Sequence, residues 1–185
     1  MIILTKIYNN KNIMNNFNQD YYKIWKSDFY TIEANIDRSL WENKFIKSFE
    51  KRLNKIILVI FENSKNTLLV NNILISLLFT GDKKVAELNN YYRKIHKSTN
   101  VLSFPSKEIN NSNEIFLGDI VFSSQTIIEE AKRDNKNLED HLIHLFIHGV
   151  LHLLGYDHEK EHEAQIMESL EIKILKNLKI DNPYN

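Results

Sequence analysis

The sequence contains no cysteine. Disulfides are therefore excluded, and so is any thiolate metal site, which leaves imidazole and carboxylate as the only ligands for a metal ion. Four glycines and two prolines in 185 residues leave few places for tight turns, so each is informative about where an element stops. No run approaches the roughly 20 apolar residues of a membrane span. The N-terminal MIILTKIYNN has an apolar patch too short for a secretory signal, with no small-residue cleavage site after it. A cytoplasmic protein with no membrane partner is expected. Net charge is lacking too: 24 Lys and Arg balance 24 Asp and Glu, which removes any global basic signal for nucleic acid.

What is present is an ordinary soluble composition, 43% hydrophobic and 26% charged. The length is enough for one domain with its own core. The charge is segregated along the chain. Asp82 to Glu108 holds six bases against three acids, and Glu129 to Glu171 holds eleven acids against four bases.

Residues 1–26 show weak periodicity and many Asn, and read as a poorly defined N-terminal extension ahead of a domain over 27–180. Phe29 to Ile36 alternates as a strand, and Asp37 and Ser39 can cap the helix after it. Leu40 to Asn63 places Trp41, Phe45, Phe49, Leu53, Ile56, Ile57 and Ile60 at helical spacing. Ile56 to Phe61 has a strand-like composition, but the continuous period favours helix. Asn72 to Thr80 is a buried strand, and Asp82 to Arg93 a helix after the Gly81 turn signal. Thr99 to Phe104 is strand-like and ends at Pro105, before a polar loop over Ser106 to Asn113. Glu114 to Phe122 is a strand, with Gly118 marking a bulge or close approach. Ser123 or Ser124 caps a helix to about Asp134. Leu138 to Leu154 and Glu161 to Leu178 are helices, the last with Ile166, Leu170, Ile174 and Leu178 on one stripe. There is no internal repeat and no linker.

Six of the seven histidines fall between His141 and His162. His148 and His152 are four apart, so they stack on one helix face. Gly155 offers a stop, after which the chain can turn and bring His158 back. Three imidazoles with no fourth protein ligand form a catalytic zinc site, with one position open. His141 and His144 share the helix face, within roughly 80° at about 100° per residue; more imidazole is present than one zinc needs, and these two read as core residues or as supports for the ligands. The spacing from His152 to His158 resembles the extended zincin motif. Zinc peptidases place a glutamate directly after the first histidine as general base, and here that position is Gly149, which argues against proteolysis. Asp157, beside the third histidine, is the nearest candidate acid or base, with a turn-forming role equally open.

HGVLHLLGYDH resembles the signature of the YbeY family of bacterial metal-dependent endoribonucleases. LNNYYRKIHKSTNVLSFP, from Leu88 to Pro105, is similar to that family's arginine-ended helix and following strand. LGDIVFS, Leu117 to Ser123, and MESLEIKIL, Met167 to Leu175, extend the likeness over roughly Asn72 to Leu178. The resemblance implies a single-domain α+β fold, with a small mixed sheet of about four strands packed with helices and a zincin-like metal-binding helix. It implies one zinc ion on His148, His152 and His158, with Arg93 as the functional arginine. It further implies hydrolysis of single-stranded RNA, in maturation of the 3′ end of 16S ribosomal RNA and in 70S ribosome quality control. The ribosome and its RNA are the implied partners, and DNA is not. The chain departs from the family at His96, where members usually carry an acid, and in a short loop after Pro105.

Elementary chemistry supports the arginine, with a surface ion pair as its other reading. A phosphodiester gains charge as water adds, and a guanidinium grips two phosphate oxygens as a fork. Thr99 and Ser103 can donate to phosphate or sugar, or serve the strand. Tyr91 and Tyr92 can stack on bases, although a tyrosine pair at a helix end more commonly packs. Two other readings stay open: a metal-dependent hydrolase of another substrate, and a ribosome-assembly factor with a structural metal. Nickel, copper and iron also accept imidazole.

Overall fold

The computed structural model describes residues 20–64, 72–109 and 114–184. Among these, the elements run β1 Asp20–Lys26, β2 Tyr30–Asp37, α1 Asn43–Asn63, β3 Ile73–Thr80, α2 Asp82–Arg93, β4 Val101–Ile109, β5 Ile115–Ser123, α3 Ser124–Arg133, α4 Leu138–Leu153 and α5 Glu161–Asn177. The strands form one sheet in the order β1-β2-β3-β5-β4. β2, β3 and β5 are parallel, while β1 and β4 run antiparallel to β2 and β5 at the two edges. The fold is single-domain α+β with a five-stranded mixed sheet, rather than one of about four strands. No helix among the described residues is long and apolar enough to cross a membrane.

The additional strand is β1, which lies in the stretch expected to be ill-defined; residues 1–19 of that stretch fall outside the described residues. Local period gave no sign of β1, because its stability comes from pairing along its length with β2, a tertiary partner. Its Trp25 is buried and meets Phe49 edge-on at 5.9 Å.

Three other expectations shift for physical reasons. α1 begins at Asn43, not Leu40, and Trp41 sits in the preceding turn with its indole N–H donating to the Thr80 carbonyl at 2.8 Å. Ile56 to Phe61 is helix, as the continuous period requires. β4 does not end at Pro105 but continues to Ile109, and the rest of the expected loop, 110–113, lies outside the described residues. Pro105 is tolerated because β4 is an edge strand, where a missing N–H breaks no ladder. On α5 the buried stripe is Met167, Glu171, Ile174 and Leu175, while Ile166 faces solvent.

The core lies between one sheet face and the α1, α4 and α5 helices. Phe79 sits at its centre, 5.1 Å from both Trp41 and Phe122 and 6.0 Å from Phe49, which in turn meets Phe146 of α4 at 5.1 Å. Each such ring contributes about 1.5–3 kcal/mol by burial. The opposite face is covered by α2, through Val85 and Leu88 against Leu78, Leu102 and Val121. Gly118 in β5 marks the expected close approach: its φ is 142°, and a Cβ there would lie 2.2 Å from the Phe104 carbonyl oxygen. α2 is tied to α3 by Asp82, whose carboxylate accepts from Ser98 at 3.0 Å, from Thr126 at 2.7 Å and from Ser123. Ser123 therefore commits its hydroxyl to Asp82 and caps nothing with it.

Candidate metal centre

α4 positions the site because both of its ends are well defined. At the start, the Asn137 side chain accepts the N–H groups of Glu139 and Asp140 at 2.9 and 3.1 Å, a cap worth about 1 kcal/mol. Glu139 and Asp140 place negative charge on the positive end of the helix dipole. At the end, Gly155 N–H bonds to the His152 carbonyl and Tyr156 N–H to the Leu151 carbonyl, with Gly155 at φ 93°. This is a Schellman turn, which needs a left-handed residue at that step. The Tyr156 hydroxyl then donates to the Ser64 carbonyl at 2.7 Å, and the chain is directed back so that His158 faces the helix.

The three expected histidines meet. One ligand-capable atom of each of His148, His152 and His158 lies within 4.8 Å of the others. His148 Nε2 and His152 Nε2 are 3.1 Å apart, and the His158 ring centroid is 5.2 and 4.9 Å from theirs. His148 and His152 are partly buried and His158 is exposed.

The donor set fits a metal ion. Nδ1 of His148 is 2.7 Å from Glu171 Oε1, and Nδ1 of His152 is 3.0 Å from the Tyr156 carbonyl oxygen. Both partners can accept a hydrogen bond from Nδ1, the arrangement that would leave both Nε2 atoms to a metal ion. Two nitrogens at zinc distances of about 2.0–2.1 Å in a tetrahedron stand roughly 3.3 Å apart, close to the 3.1 Å found. Burial, with His148 and His158 nearby, holds His152 at about 4, so it is neutral at pH 7, the form a ligand requires.

The remaining predicted residues divide. Arg93, at the last turn of α2, and Asp157 line the same cleft of about 550 Å³ as the three histidines, together with Thr99 to Ser103, Pro105 and Glu159. Asp157 Oδ1 accepts the His158 N–H at 2.8 Å and lies 4.0 Å from His152 Nδ1. It therefore makes the turn and also borders the site. The Thr99 hydroxyl donates to Asn100 Oδ1 at 3.4 Å, whereas Ser103 Oγ is buried with no hydrogen-bond partner. Tyr92 packs on Phe104 at 5.0 Å, but Tyr91 is 70% exposed. His96, where the chain departs from the family pattern, is exposed.

His141 and His144 are not part of the cluster. His141 Nε2 is 2.9 Å from Glu130 Oε2, and His144 Nε2 is 2.9 Å from Glu171 Oε2. Burial lowers the His141 pKa against the opposing pull of Glu130. Glu130 also accepts both hydrogen bonds from Asn100 Nδ2, at 3.1 and 3.0 Å, which ties α4 to the chain just before β4.

Sequence reasoning missed Glu171 and Glu130. Glu171 is 0% exposed. Burial works to raise its pKa, but hydrogen bonds from His144, His148 and Tyr184 prevail and hold it at about 2. A carboxylate on the otherwise apolar stripe of Met167, Ile174 and Leu175 was the available signal, because a charge is buried only with partners. Gly149 proves to be steric as well as chemical: a Cβ there would lie 3.0 Å from two carbons of Ile120 and 3.2 Å from Ser103 Oγ.

A single-domain α+β fold with three imidazoles facing a cleft defines a class of protein that could hold a metal ion beside an open groove. The comparisons narrow this. The family model described as endoribonuclease YbeY matches residues 36–179. Endoribonuclease YbeY of Bartonella quintana is 42% identical over 158 residues, 83% of this chain and 96% of that protein. The Bartonella henselae protein of the same name is 41% identical over the same coverage. That of Allorhizobium ampelinum is 47% identical over 112 residues, 60% of this chain and 67% of its own length. The chain belongs to the endoribonuclease YbeY family, an enzyme family of metal-dependent hydrolases.

Proposed function

We propose that the chain is a zinc-dependent endoribonuclease for single-stranded RNA, working in the cytoplasm on the 3′ end of 16S ribosomal RNA and in quality control of the 70S ribosome. The observation that carries this reading is that Arg93 and the three imidazoles, contributed by different elements, line one cleft. β1 is added to 27–180 as the hydrolase unit, and α4 serves as its zincin-like metal-binding helix.

His148, His152 and His158 hold one ion. When bound, zinc supplies a Lewis acid and lowers the pKa of water towards 7. Arg93 is exposed at the cleft edge, and its planar fork is suited to two non-bridging oxygens of a phosphodiester. It binds the substrate anion and meets the charge that grows as water adds, a contribution of about 10²–10³ in rate for a well-placed donor. Asp157 keeps Oδ1 on the His158 N–H, so Oδ2 remains to take a proton from the attacking water. Tyr91, 70% exposed two residues before Arg93, offers a face for an unpaired base. Three protein donors leave the open position of a catalytic site, which favours an enzyme over an assembly factor with a structural metal. Gly149 disfavours a peptidase, since the general-base glutamate is absent and the position is crowded by the Ile120 side chain.

The test is cleavage of an end-labelled single-stranded RNA and of the same strand annealed to its complement. The wild type is expected to cut the single strand, and to stop on chelation. His152→Ala and Arg93→Ala are expected to be inactive or nearly so. Equal cleavage by all three proteins overturns the assignment.

A further inference from the structure

The chain after α5 returns to α4 and ends against the support of the metal site. α5 closes with Lys179 at φ 60°, while Lys179 and Ile180 N–H bond back to the carbonyls of Lys176 and Leu175, both at 3.0 Å. The tail then crosses the region before α4, where Lys136 Nζ donates to the Pro183 carbonyl at 3.0 Å. The Asn182 side chain accepts the Tyr184 N–H at 3.0 Å. The Tyr184 ring stands edge-on to His144, 5.9 Å between centroids at 81°, and its hydroxyl donates to Glu171 Oε2. His144 Nε2 reaches the same oxygen at 2.9 Å, and His148 Nδ1 takes the other at 2.7 Å.

We propose that Glu171 and Tyr184 are positioning residues for the ligand His148, and that the C-terminal tail thereby acts on the metal site. A carboxylate can rotate about its terminal torsion, and a single hydrogen bond to an imidazole does not stop it. Here Oε2 is pinned from two sides, by the α4 imidazole His144 and by the tail hydroxyl Tyr184. Oε1 is therefore held on His148 Nδ1, the ring cannot turn, and Nε2 stays directed at His152 Nε2. The carboxylate also makes the imidazole it holds a stronger ligand. Tyr184 does this from an exposed position, 46% accessible, whereas Glu171 is buried. This inference rests on the metal-site reading above.

A purely structural role differs in what it predicts. If Glu171 only satisfies two buried imidazoles, its loss lowers stability and leaves metal affinity alone. The experiment measures zinc affinity of the full-length protein by competition with a chromophoric chelator, alongside the melting temperature of the metal-free protein. Glu171→Gln is expected to weaken zinc binding by about 10–100-fold, the range for partners that orient a ligand. Tyr184→Phe is expected to weaken it several-fold with little change in melting temperature. The double variant is expected to bind as Glu171→Gln does, since Tyr184 acts through Glu171. The His148 Nδ1 proton, observed by NMR, is expected to sharpen in the wild type and to be lost to exchange in both single variants.

Unchanged zinc affinity in Tyr184→Phe and in Glu171→Gln overturns the proposal, whatever their melting temperatures. If Glu171→Gln does not fold, Tyr184→Phe decides alone. A wild type that binds no more zinc than His152→Ala overturns the metal reading itself and this proposal with it. A wild type that binds zinc through His148 but cuts no RNA removes only the endoribonuclease reading.

Discussion

α4 carries four histidines on one face, and they divide into two pairs with opposite hydrogen bonding. In the upstream pair a carboxylate takes Nε2: Glu130 on His141 and Glu171 on His144. Their Nδ1 atoms are buried without hydrogen-bond partners among the described residues. In the downstream pair an acceptor takes Nδ1 instead, Glu171 on His148 and the Tyr156 carbonyl on His152, and Nε2 is left to face the cleft. Residue type and helical face are the same in both pairs. What differs is which ring nitrogen the neighbouring element occupies, and that decides which nitrogen is left to face the cleft.

The division between the pairs is tested most severely at His152. His152→Ala is expected to lower zinc affinity by more than the roughly 100-fold that bounds supporting residues, while His141→Gln leaves it unchanged; chelator competition on both variants decides. Equal losses would erase the distinction between the pairs. Arg93 extends the contrast to a residue off the helix. Arg93→Ala is expected to slow RNA cleavage by about 10²–10³-fold with zinc affinity as in the wild type, read from single-turnover rates beside the same competition assay.

His141 tests the structural half. His141→Gln is expected to cost about 1–3 kcal/mol in denaturant unfolding, because the Glu130 carboxylate loses a buried partner. Its pH dependence has a defined sign. Burial lowers the His141 pKa below 6.5 in the folded protein, so the unfolded chain binds more protons just below that value. Stability attributable to His141 is present above pH 6.5 and declines as pH falls towards the folded value. The wild type minus His141→Gln difference is expected to shrink on acidification through that window. The smallest effect is expected at Tyr91. Tyr91→Ala should weaken single-stranded RNA binding by about 1 kcal/mol, roughly five-fold, at the low end for a stacked base; fluorescence anisotropy measures it, and Tyr91→Phe should restore it.

The clustering of the three histidines was legible because its logic is local. One helical turn spaces His148 from His152, and one glycine turn returns His158, all within a single short stretch of chain. Arg93 was singled out through family likeness, and it lines the same cleft as the three histidines. Glu171 was not, because it sits 23 residues beyond His148 on another helix, and no local pattern reports which helix a carboxylate will face. β1 was lost for a similar reason: Asp20 to Lys26 becomes a strand only by pairing with β2. At Pro105 the residue's usual meaning as a strand stop failed because its strand lies at the sheet edge. Ile166 failed by one position, since the stripe that includes Glu171 turned α5 slightly from the all-apolar register.

Gly149 carries a consequence for what this scaffold can become. Ile120 carbons stand 3.0 Å from where its Cβ would be, so α4 rests directly on β5 at that point. A glutamate there would require the Ile120 side chain to give by a few tenths of an ångström, in the same turn of α4 that carries His148. A peptidase-like glutamate would thus have to be accompanied by repacking at Ile120, so the contact that seats the helix couples the chemistry of this position to the core beneath it.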